Sequence, residues 1–197
     1  MFKKTILTAL LLTLYLPLSA EQRGDDSVVS KDRIRALLSA FEFKRERLEL
    51  VGLGVSAFPI YEQLLNHPQV TVNEVVRIFG VIGEVKADRR GFVEHAIKRL
   101  TSPNGNVRRS AVQLLGQIGS YRDASPLVAL LWDEERTVVY AVAQTLSLIG
   151  SERELTALDI WIKSGNHRPD AELRRFVQQF RDALQRKIEE DKRKISS

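Results

Sequence analysis

The sequence of 197 residues contains no cysteine, and this absence excludes several classes of protein. The chain cannot form a disulfide, a thiolate metal site or a catalytic thiol, and it cannot carry a thiol-linked lipid. Its stability therefore has to come from the burial of apolar side chains.

Long apolar runs are also scarce, and the one that is present lies at the N-terminus. Two lysines, an apolar stretch over residues 5–16, a proline and small residues follow one another before Glu21. This order predicts an export signal over residues 1–20, with cleavage after Ala20 and a periplasmic or secreted mature protein. The alternative of an uncleaved anchor is disfavoured because the stretch is shorter than the roughly 20 residues that span a bilayer. We expect no transmembrane segment in the mature chain.

An excess of charge of one sign is found only near the C-terminus. The chain has a formal net charge of +5, yet residues 21–170 hold 20 basic and 20 acidic side chains, whereas residues 171–197 hold eight basic and five acidic ones. Binding to a nucleic-acid backbone requires a clustered cationic face. The neutral body of the chain therefore predicts no nucleic-acid partner.

The strongest pattern in the chain is an internal repeat. Residues 106–119 align with residues 137–150 at a constant offset of 31. The aligned pairs include Val107 with Val138, Gln113 with Gln144, Leu115 with Leu146, Ile118 with Ile149 and Gly119 with Gly150. A third copy ends at Gly83, and a fourth, degenerate copy ends at Gly54. Repeats of this length indicate stacked supersecondary units.

Each copy has the pattern of two helices. Over residues 107–118 the apolar side chains recur at steps of three and four, which places them in one stripe. The glycine that closes the copy is expected to adopt the left-handed conformation that ends many helices. A polar bend follows, and a second apolar stripe then begins near Pro126, which suits the start of a helix.

The copies together predict an all-α fold, an α-solenoid or superhelix of about four helix pairs over residues 31–168. The expected helices are Lys31 to Leu53, Ala57 to Asn66, Val72 to Ile82, Arg90 to Leu100, Asn106 to Ile118, Ala124 to Leu131, Arg136 to Leu148 and Glu152 to Ile162. A capping helix from Asp170 and a charged tail, expected to fray beyond Ile188, complete residues 169–197. Residues 21–30 are polar and are expected to be disordered.

One part of the repeat resembles a known family. The pattern is Val107-Arg108-x-x-Ala111-x-x-x-Leu115-Gly116-x-Ile118-Gly119, followed by Ala124-x-Pro126-Leu127. It resembles the HEAT-like repeats first named for phycobilisome lyases, and the resemblance covers roughly residues 33–162. It implies stacked helix pairs that mostly bind other proteins through the surface of the stack, some of them as accessory factors of enzymes.

Five residues are candidates for contact with a partner. Trp132 and Trp161 both end the second helix of their copies, where each either fills the seam between two pairs or stays exposed as an anchor. Arg89, Arg90 and Glu94 lie near the longest loop between copies, and insertions often lie on a binding face. Solvated charge is the alternative for these three.

Three further motifs point to chemistry less strongly. Residues 52–57 match a loose dinucleotide-binding fingerprint, but no succession of βα units follows them. His67, His95 and His167 have no metal-binding spacing. The acidic run 133–135 is expected to be a solvated helix start rather than a metal site, since acids favour the positive end of the helix dipole.

The sequence therefore predicts an exported, non-enzymatic interaction or scaffolding module with no catalytic residue, metal or cofactor. Its partner would be a protein or peptide, bound on the inner surface that the second helices form. The alternatives are an accessory or lyase-like ligand-binding protein, or a metal-dependent hydrolase in which His67 and His95 converge with an acid. Peripheral membrane attachment through the basic terminal helix is a third possibility.

Overall fold

The computed structural model describes residues 29–40, 44–164 and 171–196, and within these ranges it contains helices and no strands. The α-helices are α1 (Lys31–Ser39), α2 (Lys44–Gly52), α3 (Phe58–Leu65), α4 (Val72–Glu84), α5 (Val93–Lys98), α6 (Gly105–Ile118), α7 (Arg136–Ile149), α8 (Glu152–Lys163) and α9 (Ala171–Ser196). The same ranges also contain four 3₁₀ helices, which are Gly54–Ala57, Arg90–Phe92, Tyr121–Asp123 and Ser125–Trp132. The expected export signal, most of the polar segment after it, His167 and Asp170 lie outside the described residues.

The first helices of successive copies pack side by side. Helix α4 contacts α6, α6 contacts α7, and α7 contacts α9. The second helices lie behind this row, where α5 packs on α6 and the 3₁₀ helix Ser125–Trp132 packs between α7 and α8. The predicted all-α solenoid of stacked helix pairs is confirmed.

The core lies between the two rows and follows the predicted apolar stripes. All five stripe residues of α6 are at most 7% exposed: Val107, Ala111, Leu114, Leu115 and Ile118. The largest fully buried side chains are Tyr61, Phe79 and Phe92, from the first two pairs. Burial of a side chain of this size contributes about 1.5–3 kcal/mol, so the stripes supply the apolar burial that a chain without disulfides requires.

Helix α9 closes the stack in the position that the first helix of a further pair would occupy. Its apolar face buries Leu173, Val177 and Leu184, and its Arg181 pairs with Asp159 of α8 at 2.8 Å. The predicted capping role is confirmed. The predicted fraying beyond Ile188 is wrong, because the helix continues to Ser196 with its last side chains exposed.

Two of the repeat-closing glycines, Gly119 and Gly150, are not left-handed as predicted, whereas Gly54, which closes the degenerate copy, is left-handed with φ 55°. Gly119 has φ −77° and ψ 178°, and Gly150 has φ −71° and ψ 168°, which is extended backbone open to any residue. Glycine is needed for space instead, because a Cβ atom on Gly150 would lie 2.4 Å from the carbonyl oxygen of Leu146 and 3.1 Å from Leu184 Cδ2. On Gly119 it would lie 2.4 Å from the Leu115 oxygen and 3.4 Å from Ile149 Cδ1.

Two of the expected helices differ in form. The leading helix is two helices, because α1 ends at Ser39 and α2 begins at Lys44, and Arg33 reaches from one to Glu49 of the other at 2.8 Å. The segment Ser125–Trp132 is a 3₁₀ helix rather than an α-helix. Because a 3₁₀ helix rises about 2.0 Å per residue against 1.5 Å in an α-helix, these eight residues extend nearly as far as the longer α8.

The acidic run 133–135 is only partly solvated, which corrects the prediction for Asp133. Its carboxylate accepts hydrogen bonds from Arg108 Nε at 2.7 Å and Nη2 at 2.8 Å, and the two side chains are 5% and 8% exposed. These bonds raise the pKa of Arg108 above its usual value. Loss of one partner from a buried pair costs about 3–5 kcal/mol, so the pair ties Ser125–Trp132 firmly to α6. Glu134 is 84% exposed, as expected for a solvated acid.

We expect Gly150→Ala to lower the free energy of unfolding by about 1–3 kcal/mol, since the new methyl group has to displace the Leu146 carbonyl or Leu184. Gly52→Ala is the matched control, because a Cβ atom at this helical glycine meets nothing within 4 Å. That control should leave stability unchanged or raise it by up to about 1 kcal/mol. Urea unfolding followed by circular dichroism measures both, and equal stability of the two variants would contradict the close-approach account.

Candidate functional site

Arg89 is engaged with the ends of two first helices. Its Nη1 donates to the carbonyl oxygens of Gly83 at 2.7 Å and Ile82 at 3.3 Å, near the end of α4. Its Nη2 reaches the oxygen of Gln117 in α6 at 3.4 Å. Cations stabilise the unpaired carbonyls at helix C-termini, so this predicted candidate has a structural role at the α4–α6 junction.

Arg90 lies at the same junction and has a similar role. Its Nη1 donates to Asp123 at 2.9 Å and to the carbonyl oxygen of Ile118 at 3.4 Å. Burial alone would raise the pKa of Asp123, but hydrogen bonds from Arg90 and Ser120 outweigh it and lower that pKa. Of the three charged candidates near the loop, Glu94 is exposed on α5 and makes no such bond to a helix end.

The two tryptophans lie in different environments. Trp161 is 4% exposed and belongs to the core, which agrees with the alternative that it fills the seam between pairs. It is therefore not available as an exposed anchor. Trp132 is 39% exposed and keeps part of its ring at the surface. The structure thus brings together Arg89 and Arg90, while Trp161 is separated from any surface site.

The histidines do not gather into a metal site in the described part of the chain. His67 Nδ1 accepts a bond from the backbone of Gln69 at 3.2 Å. His95 packs against Phe92, and burial, followed by the charge of Arg99, lowers its pKa. No three His, Asp or Glu side chains form a potential metal-binding group within residues 29–40, 44–164 and 171–196. In the same ranges no helix is both long and apolar enough to cross a membrane.

A groove of about 410 Å³ runs across the outer faces of α6, α7 and α9. We call it the first-helix groove, because first helices and the capping helix line it and no second helix does. Its lining residues are Arg109 and Gln113 of α6, Arg136, Thr137, Tyr140, Ala141 and Gln144 of α7, and Glu172, Leu173 and Phe176 of α9. A second depression of about 290 Å³ between α4 and α6 shares Arg109 and Gln113 with it.

The middle of the groove carries the same residue from two copies of the repeat. Gln113 and Gln144 are separated by the repeat offset and both are exposed on neighbouring helices. Each primary amide offers two donors and a carbonyl acceptor. The groove therefore presents two similar polar groups, one helix spacing apart.

One end of the groove is aromatic. The ring of Tyr140 meets Phe176 edge-on at 4.4 Å between centroids and Phe180 at 5.8 Å. All three rings are half-buried, so each keeps an accessible surface. Half-exposed aromatic rings with fixed neighbours are suited to bind apolar side chains, because little entropy is lost on contact.

Among the described residues, one of the arginines along the groove and the adjoining depression has no acidic partner. Arg47 pairs with Glu84, and Arg136 pairs with Glu172 at 3.4 Å. Arg109 makes no ion pair within the described residues, and its Nε is shielded from solvent without a hydrogen-bond partner. A shielded donor left unpaired costs about 1–3 kcal/mol, so Arg109 Nε does not contribute to the stability of the fold.

Sequence reasoning did not identify this groove. Gln113 and Gln144 occupy equivalent positions of two copies, and a polar residue that recurs at an exposed position of two copies is a signal of a shared surface. Arg109 and Phe176 could not be placed beside them without the packing of α6, α7 and α9, because Phe176 lies outside the repeat.

Comparison with known families agrees with the architecture. Residues 93–175 match the family model described as HEAT repeats. The matched range runs from α5 into the first turn and a half of α9, and it includes every residue that lines the groove except Phe176. No curated protein matches the chain.

We expect Arg109→Gln to leave the free energy of unfolding unchanged or to raise it by up to about 3 kcal/mol, because no internal hydrogen bond is lost and an unpaired shielded donor is removed. Arg89→Gln is the contrasting variant and should lower it by about 1 kcal/mol, since it leaves helix-end carbonyls without their donor. Thermal and urea unfolding of the two variants beside the parent protein test this. A larger loss for Arg109→Gln than for Arg89→Gln would show that Arg109 is a structural residue.

Proposed function

Because the chain is a HEAT-like repeat protein, as its sequence pattern predicted, we propose that it is a non-enzymatic interaction module that binds a protein partner in the first-helix groove. HEAT repeats are commonly scaffolds for protein interactions, and the family is generally non-enzymatic. The proposal differs from the sequence-based expectation in the surface that it assigns, which is the face of the first helices rather than that of the second helices.

The observation that carries the proposal is a contrast between polar side chains that bond within the fold and polar side chains in the groove that do not. Arg89 and Arg90 donate to the carbonyls at helix ends, and Arg108 is held by Asp133. By contrast, Gln113 and Arg109 project into the groove without a comparable bond. Groups that fold stability does not require, gathered in one groove, are the expected composition of a binding surface.

We also propose that the protein acts outside the cytoplasm. The support is the order of lysines, apolar stretch and small residues over residues 1–20, which is typical of a cleaved signal. A chain without cysteine is also compatible with an oxidising compartment, since no thiol is present to pair wrongly.

A photoreactive amino acid in place of Gln144 should form a discrete crosslinked product with a protein in living cells of the source organism. An excess of parent protein should compete with the crosslink, and an excess of Tyr140→Ala protein should compete less well. The control is the same photoreactive group in place of Arg153, which is exposed on α8 and outside the groove. The proposal fails if Gln144 gives no product, or if Arg153 gives the same product as Gln144.

N-terminal sequencing of the protein recovered from the extracytoplasmic fraction tests the export proposal. The expected first residue is Glu21. Replacing Lys3 and Lys4 with glutamate should retain the longer precursor in the cytoplasm, because the positive start of the signal is lost. An intact Met1 start on the extracytoplasmic protein, or recovery from the cytoplasm alone, would contradict export.

A further inference from the structure

We propose that the first-helix groove takes an extended peptide segment with an acidic side chain against Arg109 and an aromatic or aliphatic side chain against Tyr140 and Phe176. This inference rests on the proposed function and specifies the chemistry of the partner. Four properties of the groove support it: an arginine without an internal acidic partner, two exposed amides, an aromatic end and the length of the groove.

Charge complementarity selects the acidic group. Two of the three arginines along the groove and its adjoining depression are paired with glutamates, and Arg109 is the third. Its shielded Nε has no partner in the described part of the chain. A carboxylate is the acceptor that a guanidinium binds most strongly, so a single acidic side chain in the groove pairs with Arg109 and neutralises the surplus charge.

The two amides select an extended backbone. In an extended peptide both N–H and C=O groups are free to bond outwards, whereas a helix has already paired them. Gln113 and Gln144 offer donor and acceptor together on neighbouring first helices. Because helix axes pack about 8–10 Å apart and a strand rises about 3.3 Å per residue, the two amides meet backbone groups about three residues apart.

The aromatic end selects an apolar side chain. Tyr140 and Phe176 meet edge-on at 4.4 Å and leave half-buried ring surface in the groove. From α6 to α9 the groove crosses two helix spacings, or about 16–20 Å. An extended chain covers that distance in about five to six residues, and side chains face the same side only at even separations, so the acidic and apolar side chains should lie about six positions apart.

The same properties disfavour a nucleic acid as the occupant. Binding to a phosphate backbone requires several cations in a row, and here Arg109 is the one arginine along the groove without an internal carboxylate among the described residues. Amide and aromatic groups next to a single cation match a peptide with mixed side chains.

The probe is a fluorescein-labelled, capped peptide of sequence Glu-Ser-Gly-Thr-Ser-Thr-Phe, titrated with the whole protein and followed by anisotropy. Replacing its Glu with Gln, or its Phe with Ala, should weaken binding about tenfold, since a charge-assisted bond and a buried ring are each worth about that factor. A peptide with Glu and Phe adjacent should also bind less tightly, because it cannot reach both ends of the groove.

Protein variants assign the contacts. The Arg109→Gln protein should bind the Glu and Gln peptides equally, and Arg109→Lys should restore part of the preference for Glu. Arg186→Gln is the matched control, because it removes an exposed cation of α9 that does not line the groove. It should leave both affinities unchanged.

Two results would overturn the inference: no binding of the Glu–Phe peptide at millimolar concentration, or an Arg109→Gln protein that still prefers the Glu peptide. Either result is distinguishable from failure of the proposed function, which the crosslinking of a protein at position 144 decides separately. A crosslinked protein together with an inactive peptide would keep the groove as an interaction surface and reject its acidic, extended ligand.

Discussion

The close stacking of successive first helices is the constraint on which the structure depends. Each first helix exposes an apolar flank that the next first helix has to cover, and the glycines that close the copies allow this approach. Gly119 faces Ile149 of the following copy, and Gly150 faces Leu184 of α9 in the corresponding way. Since a helix row always ends with one uncovered flank, α9 is required for stability, and its contacts repeat those that the copies make with one another.

Stacking also determines which charges remain for function. Arg89 donates to the carbonyl of Gln117 at the end of α6, and Lys187 of α9 donates to the equivalent carbonyl of Leu148 at the end of α7. A cation therefore donates to a carbonyl at the C-terminal end of each of these helices, where the helix dipole favours positive charge. The basic surplus of the terminal helix is thus partly structural, and Arg109 differs from these cations because it serves no helix end.

The sequence predicted those features that depend on local pattern and repetition. Steps of three and four placed Leu114 and Ile118 in the core correctly, and the apolar face of α9 correctly predicted a cap. Prediction from the sequence failed where contacts with neighbouring helices determine the environment of a residue. The acid at Asp133 is indistinguishable in sequence from a solvated one until Arg108 is placed beside it. The groove was missed for the same reason, since its lining comes from three helices that are adjacent only in the folded chain.

The most direct measurement for the central claim is the nitrogen-15 spectrum of the side-chain amides while the acidic–aromatic heptapeptide is added. If the outer face of the first helices is the working surface, the NH₂ signals of Gln113 and Gln144 shift progressively, and those of Gln178 and Gln185 on α9 stay in place. Shifts confined to backbone signals of α5, α8 and the 3₁₀ helix Ser125–Trp132 would instead assign binding to the second helices and contradict the account.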